Sequence, residues 1–279
     1  MNEQDLKSRL LKLKESRNHL NRDKLHLLTK AMLTHLGSTD SELRDGLIYT
    51  QFVQLVLDDL FSDDELIQIL ETCMGEDFLY DRIGIGESDA VFKRSFSSLL
   101  IAVILHKNAE NQFLDLKKLI KVADRLLEYL QLEKDIRGYV EGKGWAHSIA
   151  HVADTLAELA KQPNLPEVYL EKIFIAINWK MSFDKRLFSA DEDERMTITV
   201  MNLLSSGLNT QTMIRSIKHV AGELVNDFLT GQQSYFHSRM NYKAFLRSLY
   251  FNVMEIETYS NLVNALHQSN KDLMKPYLE

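Results

Sequence analysis

An all-α fold follows from three observations on the sequence. Only 3 prolines and 11 glycines occur in 279 residues, too few for the many tight turns that a sheet protein needs. Leu, Lys, Glu and Ala, which favour helix, are abundant. Apolar residues recur at helical spacing along nearly the whole chain, and no alternating strand pattern persists beyond a few residues.

The periodicity places the elements in order. Helices are expected over Leu6–Leu13, His19–Leu36 and Ser41–Leu60, with Ser41 as the N-cap of the third. Ser62-Asp63-Asp64-Glu65 has the spacing of a capping box and opens a helix that runs to Met74. Further helices are expected over Ser88–Lys107, Leu114–Leu130, Trp145–Lys161 and Pro166–Met181, where Pro166 suits a first turn. Asp191–Ser206, Thr210–Leu229 and a once-broken stretch Tyr242–Leu273 complete the series.

Composition narrows what such a chain can do. The net charge of −7 and the pI of about 5.8 repel phosphate backbones, so nucleic acid is disfavoured as a partner. Lys117, Lys118, Lys121 and Arg125 read as the solvated face of a helix. The aromatic tail around Tyr235, Phe236, Tyr242, Phe245, Tyr250 and Phe251 reads as packing, with only a modest basic set in Arg239, Lys243 and Arg247. Trp179, in an apolar run, reads as core.

Cys73 is the one cysteine and sits on a predicted core face, which fits a buried, inert thiol in a reducing cytosol. The charged N-terminus lacks the apolar stretch of a signal peptide. The longest apolar run, Leu99–Leu105, is too short to span a bilayer. A cytoplasmic place with no membrane partner is therefore expected.

Four helix starts carry a weak repeat, an acid followed within a few residues by an arginine. The arginines are Arg44, Arg94, Arg137 and Arg195, at intervals of 50, 43 and 58 residues. A helix pair with its turns takes about 40–50 residues in HEAT-type repeats. The acids cap helix N-termini, and the arginines can pair with acids of their own or the neighbouring repeat. The expected architecture is a right-handed α-α superhelix, a HEAT-like solenoid of helical hairpins. An irregular helical bundle is the alternative.

The most distinctive stretch runs from Asp135 to Asp154, where Gly138, Gly142 and Gly144 interrupt structure before a helix. At 100° per residue, Trp145, Ile149, Val152, Leu156 and Leu159 fall within about 40° of one line, a core-facing stripe. Alanines at 146, 150, 153, 157 and 160 fill one flank, and His147, His151, Asp154 and Glu158 take the opposite side.

His147 and His151 stand at i, i+4 with Asp154 one turn on, a spacing that can ligate a divalent metal. His151 with Asp154 can also form a hydrogen-bonded general base. Position 148 is Ser148, so the glutamate of a zinc-protease motif is absent. Gly142-Lys143-Gly144 before a helix can also hold an anion, although it lacks the phosphate-loop spacing.

The run from Arg137 to Asp154, with Gly144-Trp145-Ala146-His147 at its centre, resembles the hallmark of a bacterial family known as the domain of unknown function 2785. Arg94-Ser95-Phe96-Ser97 resembles the family's second motif, and Gly37 to Asp45 its first. The likeness covers residues 35–210, with 211–279 as a helical extension of one all-helical domain. It implies a bacterial source and assigns no activity.

Two functions are expected of this chain. The first is a scaffold that binds a protein or peptide on its concave face, without cofactor and without catalysis. The second is a small-ligand or metal protein, hydrolase-like at the extreme, using the His147/His151/Asp154 face. For the second, the candidate ligand-binding residues are Arg137, Lys143, Trp145, His147, His151 and Asp154, joined by Arg94, Asp193 and Arg195 from neighbouring repeats. The metal ligands would be His147, His151 and Asp154.

Overall fold

The computed structural model describes residues 1–15, 20–227 and 233–274. Short connections and few breakers give what the periodicity predicts, an all-helical chain. The N-terminal elements are α1 (Glu3–Glu15), α2 (Arg22–Thr34), a π-helical segment (Glu42–Tyr49) that runs directly into α3 (Thr50–Leu57), α4 (Asp63–Cys73) and α5 (Ala90–Asn111). Then follow α6 (Leu116–Leu132), a hairpin of β1 (Tyr139–Val140) and β2 (Gly144–Trp145), α7 (Ser148–Ala160) and α8 (Glu167–Lys180). The remaining helices are α9 (Glu192–Ser205), α10 (Thr210–Asn226), α11 (Gln233–Val253) and α12 (Ser260–Asp272). The expected helix start at His19 and end at Leu229 lie outside the described residues.

Several boundaries differ from the sequence expectation, each for a local reason. Ser41 makes no capping hydrogen bond. Asp40 accepts the Leu43 amide instead, at 3.1 Å. The predicted helix from Trp145 begins three residues later, at Ser148, because Trp145 is in a strand. That hairpin is also the exception to the absence of strands. Trp179 is 43% exposed rather than core. The tail breaks between Val253 and Ser260, and its first helix begins nine residues before Tyr242.

The elements fall into two compact units, Met1–Leu114 with Leu132–Thr155, and Asp115–Gln131 with Leu156–Glu279. In the first unit α3 and α4 both pack on α5. Helix α5 is buried almost all round, from Val91 and Phe92 to Leu105. Gly37 meets it so closely that a Cβ there would lie 2.6 Å from the Cβ of Lys93. In the second unit α10 packs against both α8 and α12, and α9 packs against α11. Tyr242 anchors that core by donating to Asn178 Oδ1 at 2.7 Å. Cys73 is fully buried, and burial pushes its thiol up, so it stays protonated. None of the described helices is long and apolar enough to cross a membrane.

The capping box at α4 forms as its sequence dictates. The Ser62 amide donates to Glu65 Oε2 at 2.7 Å, and the Glu65 amide donates back to Ser62 Oγ at 3.4 Å. Arg22 lies 3.2 Å from the same carboxylate, and His26 also bonds to it. Partial burial pushes the Glu65 carboxyl up. The Ser62 amide, His26, the Ser62 hydroxyl and Arg22 outweigh it and hold the pKa at about 2.

A depressed carboxyl stabilises the fold above its unfolded value, and that stability is lost as pH falls toward the folded value. Glu65→Gln should therefore lower the urea-unfolding stability by about 1 kcal/mol at neutral pH. The gap to the parent should close as pH drops from 4.5 toward 2. A gap that stays constant over that range would rule out this role.

Candidate functional site

The chain leaving α6 carries two buried acids, Glu133 and Asp135, both essentially without solvent contact. Buried carboxylates need charge partners and donors, and each has a guanidinium. Arg94 Nε and Nη2 donate to the two oxygens of Glu133 at 2.6 and 2.8 Å, and Arg94 Nη1 donates to the Asp81 carbonyl at 2.8 Å. This is the fork geometry in which arginine binds carboxylate most strongly. Arg137 Nε and Nη2 donate to the two oxygens of Asp135 at 2.8 and 2.6 Å, and Nη2 also reaches the Ser88 carbonyl at 2.9 Å. The Asp135 hydrogen bonds hold the Arg137 guanidinium above its ordinary range. Ser148 Oγ donates to the Asp135 carbonyl and ties the same turn to the head of α7.

The hairpin follows directly. Tyr139 pairs with Trp145 and Val140 with Gly144 across it. The ladder continues with Ala146 N to Gly138 O at 2.8 Å and His147 N to Arg137 O at 3.0 Å. From the inner side Arg44, fully buried, grips the returning strand. Its Nη2 donates to the carbonyls of Lys143 at 2.9 Å and Trp145 at 3.3 Å, and its Nη1 to the Ser38 carbonyl at 2.7 Å.

The Arg44 guanidinium carbon sits 4.2 Å from the Phe92 ring centre and 4.9 Å from that of Phe96, within cation–π range. Arg44 Nε is 2.7 Å from Asp45 Oδ1, but no aligned hydrogen bond forms between those two atoms. Burial, which pushes the Asp45 carboxyl up, prevails over the Arg44 charge.

Gly144 is the residue that lets this grip close. Its φ is +80°, and a Cβ would stand 2.7 Å from Ser41 Cβ and 3.2 Å from Arg44 Nη2. Both the backbone conformation and the approach require glycine. On the outer edge Lys143 Nζ holds the Asp89 carboxylate at 2.7 and 2.8 Å.

The outward face of the hairpin is aromatic. Tyr139 is 58% exposed and Trp145 44%. They stand directly opposite in the ladder with ring centres 5.2 Å apart, edge to face. His147 stacks on Trp145 at 4.2 Å. The row continues inward through His151 at 5.7 Å and Phe96 at 5.2 Å to Tyr49 at 6.0 Å. The exposed rings are thus the outer end of a packed aromatic series.

This geometry changes the roles read from the sequence. His147 is not on the helix. It has left-handed backbone, φ +48°, and its carbonyl accepts the His151 amide at the start of α7. Its ring still lies beside that of His151, with the centres 5.7 Å apart. Among the described residues no group of three or more His, Cys, Asp or Glu side chains is arranged to hold a metal ion. His151 is buried at 8% exposure and Asp154 is half-buried, so the polar flank of α7 lies largely out of bulk solvent.

Arg94, Arg137, Lys143, Trp145, His147 and His151 all belong to this assembly in the first unit. Arg195 and Asp193 lie on α9 in the second unit, where Asp193 accepts from Ser248 at 2.7 Å. The arginine pattern is realised at three of its positions as Arg44–Asp45, Arg94–Glu133 and Arg137–Asp135. Sequence reasoning missed Tyr139, whose exposure depends on a strand pairing that periodicity does not signal.

A family model described as Protein of unknown function (DUF2785) matches residues 79–251. The match covers the hairpin assembly and the arginines at 94 and 137, begins after Gly37–Asp45, and continues into α11. No curated protein and no solved structure matches the chain.

Proposed function

Given that the chain belongs to the DUF2785 family, whose description names no function, we propose that it is a binding module that holds a partner protein or peptide on the aromatic face of its hairpin. The observation that carries this reading is the pair Tyr139 and Trp145, large, half in solvent, and fixed by a backbone that Arg44 clamps from beneath. Tyr and Trp dominate the energetics of protein interfaces. A preformed platform spares most of the ordering cost of association.

The finer architecture is part of the proposal. Packing of α10 on α8 and α12, and of α9 on α11, is what stacked helix pairs of a right-handed α-α superhelix produce, and it supports HEAT-like stacking within the second unit. A single cysteine, buried as a free thiol, supports work in a reducing cytoplasm. No cofactor and no catalytic step are part of this reading.

The experiment is site-specific photo-crosslinking in cells from a benzoylphenylalanine placed at Tyr139, with mass spectrometry of the product. One dominant protein partner is expected. The crosslink should vanish with Trp145→Ala and persist with Trp179→Ala. No crosslink, or one indifferent to Trp145→Ala, would reject the hairpin as the binding face.

A further inference from the structure

The first unit has a second feature, unrelated to the hairpin. Helices α2 and α4 are joined near Glu65 by its contacts with Arg22 and His26, and Arg22 also donates to the Leu60 carbonyl at 2.7 Å. Beyond that tie the two helices line a cleft of about 460 Å³, within the size range of small-molecule sites. Leu33, Phe61, Ile69 and Phe78 give it an apolar lining. Phe61 and Ile69 are buried, so they form a fixed surface rather than a chance patch of solvent-facing side chains.

The charges around the cleft are unbalanced. Its one lining acid, Glu65, is committed to Ser62, Arg22 and His26. Lys30 lines the cleft, and Lys93 lies with its ammonium 5.2 Å from the centre of the Phe78 ring. Neither lysine has an acid partner among the described residues. Gln68 adds a side-chain amide. Lys30 on the wall of an apolar cavity whose one lining acid is already engaged suits an anion with an apolar body.

We propose that this cleft binds a small amphipathic carboxylate, an aromatic or short-chain acid. Its body packs on Phe61, Ile69 and Phe78, and its charge is met by Lys30. Lys93 supplies a second positive charge at the Phe78 end. The site is independent of the hairpin, so its failure leaves the partner-binding reading untouched.

Isothermal titration calorimetry on the full chain tests it, with naphthoate as the probe and naphthamide as its neutral counterpart. Naphthoate should bind, and naphthamide about fivefold more weakly. Lys30→Ala should weaken naphthoate by about the same factor and leave naphthamide unchanged. Leu33→Trp, which fills the cleft from a half-buried position, should abolish both while the helical circular dichroism stays intact. Equal binding of the two probes, binding untouched by both variants, or no binding at all would overturn the proposal. So would binding of an acetylated Glu-Phe-Glu amide without any binding of naphthoate, which would make the occupant a peptide.

Discussion

Arg94→Ala is expected to lower the stability of the protein by about 3–5 kcal/mol, among the largest losses that a single substitution can cause here. The reason is the pairing it destroys. Glu133 is buried and accepts two short hydrogen bonds from the Arg94 fork, while the third arm of that arginine satisfies the Asp81 carbonyl. Removing the guanidinium leaves a carboxylate inside the protein without the counter-charge that faces it. Much of the cost is that of stranding a charge, not the net worth of the pair.

A double-mutant cycle separates the two. Arg94→Met and Glu133→Leu should each be strongly destabilising alone. Together they should cost much less than their sum, because neither charge is left behind. Additive losses in urea unfolding would show that the two residues do not act as a pair.

Arg44→Met is the second large effect, and it reaches the candidate site. Three backbone carbonyls, those of Ser38, Lys143 and Trp145, take their hydrogen bonds from this one guanidinium. Each buried acceptor left open costs about 1–3 kcal/mol, so a loss of about 3–5 kcal/mol is expected, with the contacts to Phe92 and Phe96 lost as well. The structural consequence is local. Lys143 and Trp145 flank Gly144 on the returning strand, so their release should loosen β2 and the ring of Trp145 with it. Fluorine NMR of fluorotryptophan-labelled protein should show the Trp145 resonance shifting and broadening while that of Trp179 is unchanged. An unchanged Trp145 resonance would show that the hairpin holds its shape without Arg44.

These two arginines also mark how far the sequence could be read. Their recurrence near acidic helix starts was visible, and so was the chance of acid partners. The partner of Arg94 is an acid close to the next arginine of the series, a pairing that the spacing allowed. Two of the three carbonyls that Arg44 holds lie 99 and 101 residues away, and no local pattern encodes those. The capping box at Ser62 was legible in full because both halves lie within four residues.

Periodicity starts α7 at Trp145, three residues early, because Trp145 happens to fall on the angular line of Ile149 and Val152. The three glycines announced a break but not that the chain returns on itself between Gly138 and Ala146. Periodicity places His147 on the helix because left-handed backbone at a histidine leaves no signature in it. The apolar run around Trp179 points to core, although the helix turns that ring outward. Exposure and long-range hydrogen bonds, which define the candidate site, are properties of the folded chain rather than of its local pattern.

The central claim is that Trp145 serves binding and not folding, and one comparison tests it directly. Trp145→Ala should lower the urea-unfolding free energy by only about 1–2 kcal/mol, the worth of its ring contacts with His147 and Tyr139, and leave the first unit folded. The same change should weaken the partner captured at Tyr139 by about 2 kcal/mol or more, roughly thirtyfold in Kd. If Trp145→Ala instead unfolds the first unit, or if Kd stays the same, the hairpin is a structural staple and the binding function lies elsewhere.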